Sequence, residues 1–105
     1  MGSTFSHKIK IKESKTIDKV DFGVFNLLFM SDGRLASCSN DKNIRIYDPK
    51  NDYHCDIVIK TKHKIGISYM CKLNNDNLVS CSKGNDNDIK IWRITKSDYK
   101  CVYTI

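Results

Sequence analysis

The chain has one proline in 105 residues, no Cys-x-x-Cys pair, no arginine cluster and no long apolar run. Each gap removes a class of protein. A membrane-spanning helix needs about 20 predominantly apolar residues, and nothing here approaches that length. There is no secretory apolar core near the first residues either. Metal sites of the ribbon and finger type need clustered soft ligands, which the scattered cysteines do not supply, so no metal or other cofactor is expected. The five cysteines are odd in number, so any disulfide scheme leaves a thiol over, which points to a reducing compartment: intracellular, cytoplasmic or nuclear. No long amphipathic helix is visible. What remains is 40% hydrophobic residues with isoleucine prominent, a composition suited to many short strands. A chain of this length forms one small domain, burying only about two-thirds of its unfolded surface.

The net charge of +6 comes mostly from lysines alternating with other residues, as in Lys8–Lys12 and Lys60–Lys64. Alternation of this kind is the wet face of an outer strand, where lysine also discourages edge-to-edge pairing. The competing reading is a basic surface that binds nucleic acid or anionic membrane. Met1-Gly2-Ser3-Thr4-Phe5-Ser6 fits the short pattern for myristoylation of Gly2, but Met-Gly-Ser is also a common tag remnant, and the sequence leaves lipidation of Gly2 open.

The informative feature is a repeat. Leu35 to Asp48 reads LASCSNDKNIRIYD, and Leu78 to Arg93 reads LVSCSKGNDNDIKIWR. Each holds two short β-type runs around a polar turn. Leu35 and Leu78 are 43 apart and Ile44 and Ile89 are 45 apart, so the two extra residues fall within Lys83–Asp88. The repeat extends outward, because Asp52-Tyr53-His54-Cys55 aligns with Asp98-Tyr99-Lys100-Cys101. A period in the low forties with four short strands per unit marks a propeller blade. The chain then reads as a leading strand at His7–Lys12, a polar connector at Glu13–Lys19, and two four-stranded units, nine strands in all. The expected division is 1–22 for the leading strand and connector, 23–62 for the first blade and 63–105 for the second.

These residues resemble the WD-repeat β-propeller family, whose repeats run Leu-Ala-Ser-Gly-Ser-x-Asp-x-x-Ile-x-Ile-Trp-Asp. The resemblance covers nearly everything from Phe22 to Ile105, and implies an all-β fold: a partial β-propeller of two four-stranded antiparallel WD-repeat blades. It also implies a structural tetrad of Trp, Ser, His and Asp, carried here by Trp92, Ser80, His63 and Asp86. A buried indole N–H needs an acceptor, the hydroxyl passes the chain on, and the imidazole donates to a carboxylate. The first repeat keeps Ser37 and Asp41, but has Tyr47 for Trp and Val20 for His. Its relay is broken, so Asp41 is expected to cap its own turn and the first blade to be the less rigid. Two smaller departures are Lys62 in place of glycine before His63, and Arg93 in place of aspartate after Trp92.

A Ser, His and Asp in one domain invite a hydrolase reading, but each sits at a tetrad position and no strand-turn-helix elbow frames either serine. The expectation is a non-catalytic scaffold that binds proteins or peptides, with no cofactor. By the resemblance, top-face partner positions are Gly23, Phe25 and Asn40, and Gly66, Ser68 and Asn85. Two blades do not make a ring. A blade face of four strands by about five residues spans roughly 16 × 19 Å, and leaving it open forfeits ~7 kcal/mol of burial at ~25 cal/mol/Å². Further blades from the same or another chain are therefore expected.

Overall fold

The computed structural model describes residues 7–12, 15–20, 24–82 and 88–105. Among them the regular structure is all strand, apart from a single 3-10 turn at Pro49–Asn51. The strands are β1 His7–Lys12, β2 Lys15–Val20, β3 Val24–Phe29, β4 Leu35–Ser39 and β5 Asn43–Asp48. They continue as β6 His54–Lys60, β7 Ile67–Lys72, β8 Leu78–Ser82, β9 Ile89–Ile94 and β10 Tyr99–Thr104. Two four-stranded antiparallel meanders result, β3-β4-β5-β6 (blade A) and β7-β8-β9-β10 (blade B). The all-β, two-blade architecture follows the repeat.

One expectation is corrected. Residues 15–20, read as part of a polar connector, form β2, which pairs antiparallel with β1 and sets Ile17 opposite Ile9. The leading segment is thus a hairpin, giving ten strands among the described residues. Asp18 and Lys19 interrupt the apolar alternation, but backbone pairing to β1 overrides local propensity.

The two blades share their irregularities. A register shift follows Val24 in blade A and Ile67 in blade B, and another lies between Ile46 and Tyr47 in A and between Ile91 and Trp92 in B. A bulge adds one residue to a strand and re-aims the side chains beyond it. Ile46 and Tyr47, though neighbours, are therefore both buried.

Register sets the faces. Ala36 pairs with Ile46, Cys38 with Ile44, Ile44 with Ile59 and Ile46 with Ile57, so these six side chains share one face of blade A. Against it pack Ile67, Met70, Leu78 and Trp92 of blade B, and the core of the molecule is this seam. Ile44 and Ile46 are 0% exposed there. On the opposite, leading face of blade A, Leu35, Ser37, Ser39 and Tyr47 are also buried, while Leu27 and Phe29 on β3 are exposed. The leading flank is closed over its centre and open along its first strand.

Blade B is different. Its trailing face carries Tyr69, Cys71, Val79, Cys81, Ile89 and Ile91, paired Tyr69 to Cys81, Cys71 to Val79, Ile89 to Cys81 and Ile91 to Val79. Tyr103 on β10 sits opposite Ile91. Among the described residues no further strand packs on this face: Tyr69 is 58% and Tyr103 66% exposed, while Cys71, Val79, Cys81 and Ile91 are half-buried.

Candidate functional site

Inside blade B, Trp92 Nε1 donates to Ser80 Oγ at 2.9 Å, and Ser80 Oγ lies 2.9 Å from His63 Nε2. The bulge before Trp92 turns the indole inward, β8 supplies Ser80, and the link between blades supplies His63. Because an indole N–H only donates, Ser80 must accept from it. The serine proton is then available to His63 Nε2 when the imidazole proton sits on Nδ1. The Tyr99 ring meets the indole edge-on, with centroids 5.9 Å apart and planes at 61°. Asp86 and Asn85 lie outside the described residues, as does Gly23.

A serine beside a histidine can be a nucleophile beside a base, but only where a substrate atom can reach the oxygen. Ser80 is 0% and His63 2% exposed, and one Ser80 lone pair is taken by the indole. This arrangement ties strands together. It also reaches into blade A: the His63 backbone N–H donates to Thr61 Oγ1 at 3.3 Å, and Thr61 Oγ1 donates to Lys42 O at 2.6 Å. Thr61, buried within a run of lysines, was not singled out from the sequence; its only signal is being the odd residue in that run.

Blade A fills the same space otherwise. Tyr47 stands where Trp92 stands, with Ser37 close to its hydroxyl; burial raises the hydroxyl's pKa and Ser37 offsets part of the rise. Val20 belongs to β2 and pairs with His7. Asp41 accepts from Ser39 Oγ at 2.5 Å and from Asn43 N at 3.2 Å, and forms an ion pair with Arg45, a residue the sequence reading passed over. Asp41 does bond its own turn, and adds a guanidinium. Burial pushes the carboxyl upward, but the bonds from Arg45, Ser39 and Asn43 outweigh it and hold it below its ordinary value.

Of the six top-face positions, Asn40, Gly66 and Ser68 are described in full. Asn40 is exposed on the β4–β5 turn, and Ser68, half-buried near the start of β7, donates to Cys81 O at 3.4 Å. Gly66 brings the two blades together here, because a Cβ on it would meet Asn40 Oδ1 at 2.6 Å. Phe25 is described only by its place in β3. Lys62, at the position of the family's glycine, takes φ 62°, a left-handed conformation that costs a residue with a Cβ about 1–2 kcal/mol.

At the other end of the blades, Arg34 is buried, bonding Asp32 through Nε at 2.8 Å and Thr95 O through Nη1 at 2.7 Å. A cleft of about 160 Å³ beside it is lined by Asp32, Arg34, Asp48, Lys50 and Lys96. All five cysteines are free, and burial raises the Cys38 thiol to about 11, leaving it protonated and inert near neutrality.

The comparisons agree with the fold. The family described as "WD domain, G-beta repeat" matches residues 13–48, which run from just before β2 through β5. A curated relative, nuclear distribution protein nudF 1 of Talaromyces marneffei, is 37% identical over 71 residues, covering 68% of this chain and 15% of the relative. This chain thus spans a small part of that relative's length. With the repeat, the two shared-register blades and these matches, the chain belongs to the WD-repeat family.

Proposed function

We propose that the chain is a non-catalytic WD-repeat scaffold module for protein–protein interaction and forms part of a larger propeller, within the cytoplasm or nucleus. WD repeats generally mediate protein interactions without catalysis. The observation that carries the reading is the trailing face of blade B. Ile89 and Ile91 stand at the repeat positions of Ile44 and Ile46, which are fully buried where a blade follows. The same face design, with no strand upon it among the described residues, calls for a further blade.

In this reading His63, Ser80, Asp86 and Trp92, with Ser37, Asp41 and Tyr47 in blade A, hold the blades rigid. Phe25, Asn40, Ser68 and Asn85 meet a protein or peptide partner at the end where Gly66 and Asn40 touch. Sedimentation of the 105-residue chain at micromolar concentration tests the larger ring. Self-association or aggregation is expected, and a stable monomer melting in one cooperative transition overturns it.

A further inference from the structure

Besides the apolar seam and the links through Thr61 and from Lys60 N to Tyr99 Oη, three polar links run from β3 and the β3–β4 turn of blade A to blade B. Asn26 Nδ2 donates to Met70 O at 2.9 Å, and Arg34 Nη1 to Thr95 O. The third joins two equivalent turns: Ser31 donates to Asp76 Oδ1 from its backbone N at 3.2 Å and from Oγ at 2.9 Å. Lys72 Nζ lies 3.4 Å from the same oxygen.

The two turns have one geometry. Met30 N bonds Arg34 O and Gly33 N bonds Met30 O in the first; Leu73 N bonds Asn77 O and Asp76 N bonds Leu73 O in the second. Asp32 and Asn75 each accept from the backbone N–H two residues on. Ser31 therefore corresponds to Asn74, and Gly33 to Asp76. Both third positions have positive φ, 91° at Gly33 and 68° at Asp76. Asp76 thus holds a conformation that favours glycine, and its carboxylate accepts two donors from the preceding blade.

Moved forward by one blade, the donor position falls on Asn74. Its backbone N–H, placed as that of Ser31 is, makes no hydrogen bond among the described residues. The other two links do not carry forward, since Tyr69 replaces Asn26 and Asn77 replaces Arg34. We infer that the trailing flank of blade B receives a following four-stranded blade whose first turn carries an aspartate or glutamate in the place of Asp76, held by the Asn74 N–H and side-chain amide. This rests on the larger-propeller reading above. A second copy of this chain offers Gly33 at that point of its first blade, so the occupant is a blade of the Asp76 kind.

The test extends the full chain after Ile105 with a copy of residues 60–105 whose cysteines are changed to serine, and follows alkylation of Cys71 and Cys81 on the trailing face by mass spectrometry. Docking of the added blade, expected here, protects both thiols relative to the unextended chain. Asp76→Asn in the added copy alone, or Asn74→Pro in the original blade, is then expected to speed alkylation about tenfold, the effect of losing one charge-assisted hydrogen bond. Proline suits the second position of a common turn while removing its N–H, so Asn74→Pro should leave the unextended chain's melting temperature unchanged. Protection that neither substitution alters overturns the clasp and leaves the larger propeller standing. Absence of protection overturns both.

Discussion

In blade B the aromatic beside the bulge is Trp92, and its polar partners are buried in the sheet. In blade A it is Tyr47, and the polar weight has moved to the rim of the β4–β5 turn, where Asp41 gathers Ser39, Asn43 and Arg45. One backbone plan thus accepts two polar interiors. A buried relay is costly to interrupt, because each member left alone has lost water as well as its partner. The Asp41 carboxylate, 11% exposed, and Arg45, 20% exposed, keep partial contact with water. Blade B thus holds the more deeply buried of the two networks.

The sharpest way to break this comparison is Trp92→Ala, expected to cost about 3–5 kcal/mol in urea unfolding, against about 1 kcal/mol or less for Tyr47→Phe in blade A. Equal losses would mean that the relay has no special standing. Next comes Ser80→Ala, which orphans the indole N–H and His63 Nε2 and should cost about 2–3 kcal/mol, while Ser37→Ala should stay near 1 kcal/mol. Gly66→Ala drives a methyl into Asn40, and a loss of about 1–3 kcal/mol by thermal melting is expected; no loss would show that the link between blades yields freely.

Acid should act on the Asp41 cluster of blade A and on the Ser31–Asp76 link between the blades. The Asp41 carboxyl is held below its ordinary value of 3.8, so its stabilisation is fully present above that pH and disappears as pH falls below it. Asp76, with Ser31 and Lys72 around it, shifts the same way. Asp41→Asn should be less stable than the parent at pH 7 and lose less on acidification, read from melts across pH 7 to pH 2. The smallest effect is a gain: Lys62→Gly relieves the left-handed backbone before His63 and should stabilise by about 1 kcal/mol or less, after the entropy glycine adds to the unfolded chain.

The blades were legible in the sequence because their signal is repetition, and two copies in register outvote any single ambiguous residue. Ser80, His63 and Trp92 were legible only through the resemblance to the WD-repeat family, since the first repeat keeps the serine but has Val20 and Tyr47 in the other two places. What escaped was non-periodic. Strand β2 has Asp18 and Lys19 where alternation would want an apolar side chain, and only its pairing with β1 reveals it. Thr61 and Arg45 act through partners that local spacing does not announce. The clasp between Ser31 and Asp76 spans 45 residues, and its one sequence trace is an aspartate aligned with a glycine.

The paired bulges bear on how such a chain can change length. Each fixes the phase of side chains along a fourth strand, so inserting or deleting one residue within β5 or β6 would turn an inward isoleucine outward, and one within β9 would turn Trp92 off the seam. The two residues by which the repeats differ fall within Lys83–Asp88, between β8 and β9. Length variation in further copies of this unit should collect at that link and spare the strands on either side.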